Sequence, residues 1–397
     1  MKVLYFHQHF TTPAGGGGTR SFEFAKHLIK AGHQVTMVCG SYENHHTGLT
    51  QPFCKGRRQG LVDGIWVIEY SLPYSNKDGF VKRAITFLRY AWRSVAVVFT
   101  QSYDVIFATS TPLTAAIPGI LAKLLRRKRF VFEVRDLWPE LPKAMGVITN
   151  PVIVKLMDWL ETLSYKSADA CIGLAPGIVE GIKRKVPNKA LAMIPNGCDV
   201  ELFTPSLQPP KFIALFAGAH GIANGLDAVL DAAAILQSRG RDDIEIHFIG
   251  SGRLKAELIA RAEREQLTNC KFLTPIAKQA ITSLFQNVSV GLMVLANVPA
   301  FYYGTSPNKF FDYIAAGLPV LNNYPGWLAH LLTEHQCGLS IRPDDAIAFA
   351  EALIYLADSR QELERMGKNA RKLAVEKFNR DELAQQFVNF LQKVVYE

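Results

Sequence analysis

The chain has 397 residues, of which 49% are hydrophobic and 20% charged, so it is long enough for two domains and too apolar to be disordered. Its 44 lysines and arginines exceed its 35 aspartates and glutamates, which gives a net charge of +9. Residues 1–200 carry +11 and residues 201–397 carry −2, which argues against a uniformly basic nucleic-acid-binding protein and indicates one basic face.

Short β-branched runs alternate with amphipathic helical stretches in the first half of the chain. The predicted strands are Val3–Phe6, Gln34–Cys39, Ile65–Tyr70, Val105–Thr109, Phe130–Val134, Ala170–Leu174 and Ala192–Ile194. Helices are predicted over Thr19–Ala31, Val81–Thr100, Leu113–Leu125 and Val152–Ser167. This alternation is typical of a parallel sheet with helices on both faces.

A proline-rich segment, Pro195–Phe212, is predicted to be a linker, after which the pattern restarts. Further strands are predicted at Phe212–Gly218, Ile244–Ile249, Lys271–Leu273, Val288–Val294 and Pro319–Leu321. We therefore predict an α/β protein with two facing, Rossmann-like, doubly wound domains and a cleft between them. The predicted domains are residues 1–199 and 200–379, with a terminal helix, 380–397, that packs back on the first.

Glycine loops follow the first predicted strand of each half, where ligands bind in such sheets. In the first loop, Gly16, Gly17 and Gly18 precede Arg20 at a helix start. Neither a P-loop Lys nor the acidic residue of a dinucleotide site is present, so ATP and NAD sites are not predicted. The second half offers Gly218, His220, Asn224 and, one strand later, Gly250. We predict that these residues of both loops contact an anionic ligand, with an ordinary turn as the alternative.

The segment from Tyr302 to Leu321 suggests a phosphate contact at a helix start. Ser306 is predicted to cap the helix that Pro307 and Asn308 open, and Lys309 follows. A cation gains nothing from this end of a helix dipole, so Lys309 fits better beside a bound phosphate. Asp312 is predicted to accept hydrogen bonds from ribose hydroxyls. A surface salt bridge between Lys309 and Asp312 is the alternative.

A third group of polar residues follows the strand Phe130–Val134. The charged residues Glu133, Arg135, Asp136 and Glu140 fall within eight positions, and a functional cleft is preferred to a structural ion-pair cluster. His9 is expected to join this group through hydrogen bonds. His7 and His9 alternate on one strand, but no DxD motif occurs, so neither a metal nor a cofactor is predicted.

Basic residues interleave with aromatic ones over residues 78–99 and cluster again over residues 121–130. Such helices suit an anionic bilayer surface, and plain packing with solvated cations is the alternative. No spanning helix, signal peptide or nucleic-acid recognition module is predicted, so we expect a cytoplasmic protein at the inner face of the inner membrane. The predicted membrane contacts are Lys82, Arg83, Arg89, Arg93, Arg126, Arg127, Lys128 and Arg129.

The segments GGGGTRSFEFAKHL, EVRDLWPELP, IPNGCD, GAHGIANGLD and SPNKFFDYIAAGLPV occur in this order. Together they resemble retaining glycosyltransferases of family 4, which have the GT-B fold, and most closely the WbuB-like branch of surface-polysaccharide enzymes. The resemblance covers essentially the whole chain. It implies a nucleotide-sugar donor, UDP-linked, held mainly by the second domain. It also implies an undecaprenyl-diphosphate-linked sugar as acceptor, and O-antigen or capsule synthesis.

By the resemblance, Asp312 matches the second Glu of the family's E-x7-E motif, whereas Gly304 stands at the first. Arg135 matches a His of many relatives, and Ala219, His220 and Asn224 stand where a basic pair is usual. Arg135, Asp136 and Lys309 are the implied catalytic residues, and His9, Glu133, Arg135, Asp136 and Glu140 the acceptor side. An N-acetylated deoxyhexose such as N-acetyl-L-fucosamine is the suggested sugar. A non-hydrolysing UDP-sugar epimerase and a non-catalytic sugar- or lipid-binding protein are the alternatives.

Overall fold

The computed structural model of the protein describes residues 1–15, 18–42, 45–75, 78–205, 209, 211–276 and 278–397. The chain divides into two compact units. The first contains Met1–Pro195, Gly304–Ser306 and Asp381–Glu397, and the second contains Asn196–Tyr303 and Pro307–Arg380. Each unit is built on one sheet whose strands are mostly parallel. The predicted fold class, two parallel-sheet α/β domains, is confirmed.

The sheet of the first unit has the order β3-β4-β2-β1-β5-β6-β7-β8, and all neighbouring strands pair in parallel except β3 and β4, which are antiparallel. The described strands are β1 (Lys2–Phe6), β2 (Gln34–Gly40), β3 (Arg57–Val62), β4 (Ile65–Tyr70), β5 (Val105–Thr109), β6 (Arg129–Val134), β7 (Ala170–Gly173) and β8 (Ala190–Met193). Strands β1, β5 and β6 are buried almost throughout, because helices cover both faces of the sheet.

The helices of the first unit follow the predicted pattern closely. They are α1 (Arg20–Lys30), α2 (Phe80–Thr100), α3 (Ile117–Arg126), α4 (Glu140–Ala144), α5 (Pro151–Ser167) and α6 (Pro176–Lys185). The start of α5 shows why its sequence is helical: the Asn150 side chain accepts hydrogen bonds from the amides of Val152 and Ile153, and Pro151 occupies the first turn. The predicted helix at Leu113 begins as a 3-10 turn, Leu113–Ala116, before α3.

The sheet of the second unit has the order β11-β10-β9-β12-β13-β14, and the described strand pairs are parallel. Its strands are β9 (Phe212–Ala217), β10 (Ile244–Ile249), β11 (Cys270–Leu273), β12 (Val290–Met293), β13 (Val320–Asn322) and β14 (Gly338–Ser340). Its helices are α7 (Asp227–Ser238), α8 (Lys255–Arg264), α9 (Lys278–Phe285), α10 (Pro299–Gly304), α11 (Asn308–Ala315), α12 (Trp327–Glu334), α13 (Ala346–Asp358) and α14 (Arg360–Lys377).

The last helix, α15 (Arg380–Tyr396), contributes to the core of the first unit. The Phe387 ring stacks on Phe24 of α1 with centroids 4.4 Å apart, and it meets Phe107 of β5 edge-on at 4.8 Å. Leu383, Val388 and Leu391 are buried in the same cluster. Among the described residues, no helix is long and apolar enough to cross a membrane.

Candidate functional site

Two glycines bring backbone segments of the second unit close together at the carboxyl ends of β9 and β10. The Gly218 amide donates to the Ile249 carbonyl over 2.9 Å. A Cβ added to Gly250 would lie 1.8 Å from the Gly218 carbonyl oxygen, and the Gly250 φ of +143° is itself unfavourable for other residues. Only glycine fits at position 250, and this edge of the sheet therefore presents backbone groups without side chains.

The Lys309 side chain lies beside this glycine pair. Lys309 is the second residue of α11, and its Nζ donates to Asn224 Oδ1 over 3.1 Å. The same ammonium lies 3.9 Å from the centre of the Phe216 ring, and a Cβ on Gly218 would be only 3.6 Å from it. Asn224 is held in turn, because its Nδ2 donates to the Ala219 carbonyl over 2.7 Å. The predicted residues Gly218, Asn224, Gly250 and Lys309 are thus brought together.

The Lys309 side chain has no acidic partner among the described residues. No ion pair joins Lys309 to a carboxylate in the described part of the chain, so the alternative of a Lys309–Asp312 salt bridge is not formed. Burial lowers the pKa of Lys309 from 10.5 to about 7. An unpaired, desolvated cation destabilises the folded protein, so its retention beside a glycine loop points to an anionic ligand.

His220 is buried at the loop of the second unit, and its predicted ligand contact stays a prediction. Its side chain is 0% exposed and is surrounded by the rings of Phe216, Phe248 and Phe272 at 6.1–6.3 Å between centroids. Burial, followed by the charges of Lys255 and Lys309, lowers the pKa of His220 to about 4, so the imidazole is neutral at physiological pH. Both ring nitrogens are buried without a hydrogen-bond partner among the described residues.

The start of α11 differs in detail from the prediction. The helix begins at Asn308, Pro307 occupies the cap position, and no side-chain cap is formed, so the predicted capping role of Ser306 is wrong. Asn308 is exposed in the first turn, and Asp312 lies one turn after Lys309 on the same helix. The predicted donor contacts of Ser306, Asn308 and Asp312 stay predictions.

Arg20 does not reach a ligand, which corrects its predicted role in donor binding. Arg20 is 2% exposed, and its guanidinium donates to Glu133 Oε2 from Nε at 2.9 Å and from Nη2 at 2.8 Å. The remaining hydrogen bonds go to the carbonyls of Ile194 and Pro195. Glu133 is 0% exposed, and its other oxygen accepts from Thr109. This pair is structural, so the predicted acceptor-side role of Glu133 is corrected too.

The neighbours of Glu133 are better placed for chemistry. The Arg135 side chain is half-buried and donates from Nη1 towards His7 Nε2 at 3.3 Å, while its Nε lies 3.9 Å from Glu133 Oε1. Asp136 accepts from Thr111 over 3.3 Å, and burial raises the pKa of Asp136 despite the nearby Arg135. Glu140 is exposed at the start of α4. Arg135 and Asp136 therefore form the accessible polar pair of this strand end.

His9 belongs to a larger group that the sequence did not bring together. Its ring lies 4.9 Å from Tyr74, 5.2 Å from Tyr42 and 6.4 Å from His45. His7, His9, His45, Arg83 and Arg135, which we call the His–Arg cluster, are linked by these contacts and by their mutual electrostatics. Only the alternation of His7 and His9 and the pair His45–His46 signalled it in the sequence. Among the described residues, no group of His, Cys, Asp or Glu is arranged to hold a metal.

The first glycine loop is described only in part. Gly16 and Gly17 lie outside the described residues, and Gly18 is exposed before α1. Its predicted contact with the donor stays a prediction.

Several of the predicted membrane-binding cations are engaged within the protein. Arg93 donates to the Gly56 carbonyl, Arg126 to the Val98 carbonyl, and Arg129 pairs with Asp169. Arg83 hydrogen-bonds Tyr74, with its guanidinium carbon 5.6 Å from the centre of that ring. Lys82 pairs with Asp78 but is largely exposed, Arg89 and Arg127 are exposed, and the half-buried Lys128 has its ammonium 5.6 Å from the centre of the Tyr103 ring. Arg126 and Arg129 are exposed despite these contacts, and the predicted membrane contacts stay predictions.

Comparisons with known proteins place this geometry in a family. A family model described as a glycosyl transferase 4-like domain matches residues 15–197, and one described as glycosyl transferases group 1 matches residues 201–373. The chain is 30% identical to D-rhamnosyltransferase WbpZ of Pseudomonas aeruginosa over 41% of its length and 40% of the relative. It is 25% identical to O-antigen chain mannosyltransferase C of Escherichia coli over 44% of its length and 45% of the relative.

A solved structure is similar over the whole chain. HepE of Anabaena, crystallised in complex with UDP-glucose, superposes with a TM-score of 0.68 at 15% identity, covering 99% of this chain and 100% of that one. The sequence matches to the curated relatives span less than half of those proteins, whereas the two family models together cover nearly all of this chain. The two family models and the shared fold agree with the parallel sheets and the glycine pair described above. The chain belongs to the GT-B glycosyltransferases of family 4.

Proposed function

We propose that this protein transfers a sugar from a nucleotide-sugar donor to a lipid-diphosphate-linked glycan acceptor during polysaccharide or O-antigen synthesis. The observation that carries the proposal is the position of the Lys309 amine, which has no acidic partner among the described residues, beside the backbone of Gly218 and Gly250. Cleavage of a sugar–phosphate bond leaves negative charge on a diphosphate. Lys309, which is protonated when a diphosphate binds beside it, stabilises that charge next to the glycine loop.

The proposed reaction retains the anomeric configuration. The bond between the anomeric carbon and the phosphate oxygen breaks, and the acceptor oxygen bonds to the same face of that carbon. The acceptor proton passes to the leaving diphosphate oxygen, so no separate base is required. The Lys309 side chain neutralises charge on the diphosphate. A metal ion has this role in other transferases. Arg135 and Asp136 orient the acceptor.

UDP is the proposed nucleotide, since HepE binds UDP-glucose and shares the fold. The acceptor is proposed to be an undecaprenyl-diphosphate-linked sugar, because one curated relative is an O-antigen chain mannosyltransferase. The proposed sugar is an N-acetylated deoxyhexose such as N-acetyl-L-fucosamine.

The test of this function is a transfer assay with a panel of UDP- and GDP-sugars, with and without a prenyl-diphosphate-linked sugar. Mass spectrometry would follow both the donor and the acceptor. The proposal expects an acceptor one sugar heavier, formed only when both substrates are present. Conversion of the donor without an acceptor would show an epimerase instead, and donor binding without any transfer would show a binding protein.

The close contact between Gly250 and Gly218 gives a test of the donor site. Gly250→Ala should lower the melting temperature by several degrees and weaken UDP binding at least tenfold, because the Cβ forces the two loops apart. Gly240→Ala is the matched control, since Gly240 also has a positive φ, +67°, but nothing lies within 4 Å of an added Cβ. Calorimetric UDP titration and thermal unfolding measure both effects. Equal losses of UDP affinity in the two variants would contradict a role for this loop contact.

We also propose that the first unit docks on the cytoplasmic face of the inner membrane. Helix α2 is apolar on two sides: Tyr90, Ala91 and Val97 are buried, whereas an outer stripe is exposed. The stripe recurs at helical spacing and consists of Val81, Ile85, Leu88 and Trp92, of which Trp92 is 80% exposed. A second exposed apolar stripe runs along α5 at Val152, Leu156 and Trp159. With Arg89, Arg127 and Lys128 on the surface, these stripes suit an anionic bilayer interface.

Membrane docking should depend more on the apolar stripe than on the basic cluster. Leu88→Ser and Trp92→Ser together should reduce flotation with anionic liposomes at least tenfold, since each buried side chain of this size contributes about 1.5–3 kcal/mol. Arg127→Ser with Lys128→Ser should have a smaller effect that disappears in high salt. Ile347→Ser, at an exposed apolar position of the second unit, is the control. Unchanged flotation of the Leu88/Trp92 variant would contradict the docking proposal.

A further inference from the structure

The His–Arg cluster contains several buried polar atoms that lack hydrogen-bond partners. It lies where β1 ends, because the chain runs from Phe6 directly into His7, whose amide still donates to the Val38 carbonyl of β2. The Nδ1 atoms of His7, His9 and His45 and the Nε of Arg83 are buried without a partner among the described residues. His7 is only 2% exposed, so bulk water has little access to hydrogen-bond its ring nitrogen. Such unsatisfied groups are costly unless a ligand or water binds them.

The charges around these atoms favour an anion. Arg135 lies against His7, and both Arg83 and Arg135 act on His9. Burial, followed by these positive neighbours, lowers the pKa of His9 to about 3, while burial lowers the pKa of His45 to about 4. The imidazoles are therefore neutral hydrogen-bonding groups in a positive environment.

The nearby carboxylates do not cancel this positive charge. Glu133 is shared by two guanidinium groups, Arg20 at 2.8 Å and Arg135 at 3.9 Å, and Asp78 pairs with Lys82 over 2.7 Å. Asp136 accepts from Thr111 over 3.3 Å, and burial raises its pKa although the neighbouring Arg135 acts in the opposite direction. One carboxylate, Glu133, thus faces two guanidinium groups, Arg20 and Arg135, so positive charge remains beside the three neutral imidazoles.

We propose that the His–Arg cluster is a phosphate-binding pocket that holds the diphosphate of the acceptor. This inference rests on the proposed transfer to a lipid-diphosphate-linked acceptor and assigns the residues that recognise it. Guanidinium groups and N–H donors of imidazole suit phosphate oxygens, and the aromatic rings of Tyr42, Tyr74 and Phe87 close one side of the cluster.

The position of Arg83 on α2 supports a lipid-linked source for the phosphate. Arg83 turns inward onto Tyr74, while Val81 and Ile85, two residues before and after it, belong to the exposed apolar stripe. One side of the helix thus faces the proposed bilayer and the other faces the pocket. A helix with its side chains is about 10 Å wide, so the pocket lies near headgroup depth when α2 is docked.

The test is a calorimetric titration of inorganic diphosphate into the full-length chain that carries Lys309→Met, which removes the donor-side cation. We expect saturable binding that Arg83→Gln and His45→Ala each weaken at least tenfold. Two exposed residues of the same unit give matched controls, Arg184→Gln and His46→Ala, which should leave the affinity unchanged. Absence of binding, or equal affinity in all four variants, would overturn the pocket. Circular dichroism checks that each variant is folded.

A second arm identifies the source of the phosphate. A water-soluble, short-chain prenyl-diphosphate sugar should compete with inorganic diphosphate, and in transfer assays Arg83→Gln should raise its KM about tenfold without changing the donor KM. Binding of inorganic diphosphate without such competition would refute the acceptor assignment. Because the titrations need no turnover, Arg83-dependent binding in a chain with no transferase activity would refute the proposed function and keep the pocket.

Discussion

Replacing Lys309 by Met should weaken UDP binding by about 100-fold and, at the same time, raise the free energy of unfolding of the ligand-free protein. The loss of affinity corresponds to one charge-assisted contact with the diphosphate, which contributes about 1.5–3 kcal/mol. The gain in stability follows from removing an ammonium that is desolvated and has no described carboxylate partner. Calorimetric titration with UDP and urea unfolding measure the two quantities. If Lys309 serves ligand binding, its replacement lowers UDP affinity and raises the free energy of unfolding.

Lys271→Met is the matched control, because Lys271 is an exposed lysine of the same unit that pairs with Glu245. Its replacement should leave UDP affinity unchanged and should not stabilise the fold. If Lys309→Met binds UDP as tightly as the unaltered chain, the donor site lies elsewhere. If it unfolds more easily, the lysine is a structural group.

The pH dependence of unfolding checks the same assignment. The pKa of Lys309 is about 7 in the folded protein and close to its usual 10.5 in the unfolded chain. Between these values the unfolded state binds more protons, so the free energy of unfolding rises with pH. The stability gap between the Met variant and the unaltered chain should therefore be widest near pH 7 and below, and should close towards pH 10. A bound diphosphate should reverse the shift, so that UDP binding at pH 8 takes up protons.

The fold could be predicted closely because parallel strands buried on both faces carry continuous apolar runs. Strands such as β4 and β10 begin and end where the sequence indicated. Strand β3, by contrast, was not predicted. Its sequence, RRQGLV, is half-exposed at the sheet edge and pairs antiparallel with β4, so no apolar run marks it. Lys309 was identified because a cation at a helix start is unusual, and that local signal needs no tertiary information.

The predictions that failed depended on partners that are distant in sequence. An arginine after a glycine loop has the same local pattern whether it binds a phosphate or a buried carboxylate. The partner of Arg20 is 113 residues away, and only the order β1-β5-β6 brings Glu133 near the start of α1. The basic cluster shows the same problem, since sequence reveals the cations but not that Arg126 bonds a carbonyl of α2 or that Arg129 pairs with Asp169.

Breaking the buried pair of Arg20 and Glu133 should produce the largest loss of stability in this protein. Arg20→Met and Glu133→Gln should each lower the free energy of unfolding by about 3–5 kcal/mol, because each leaves the other charge buried without its partner. Burial alone would raise the pKa of Glu133, but Arg20 and Arg135 hold it below its usual range, so this carboxylate stays charged at neutral pH. Urea unfolding, followed for the transition of the first unit, measures the loss.

The double variant, Arg20→Met with Glu133→Gln, separates a structural pair from a ligand-binding arginine. Removing both charges should recover part of the stability that either single change loses, because no uncompensated charge remains. UDP affinity of the folded double variant should equal that of the unaltered chain, since neither side chain reaches the surface. A double variant that regains stability but loses UDP binding would return Arg20 to the donor site. If the double variant regains stability and binds UDP normally, Arg20 is not needed for donor binding. That result agrees with Lys309 as the cation that meets the diphosphate.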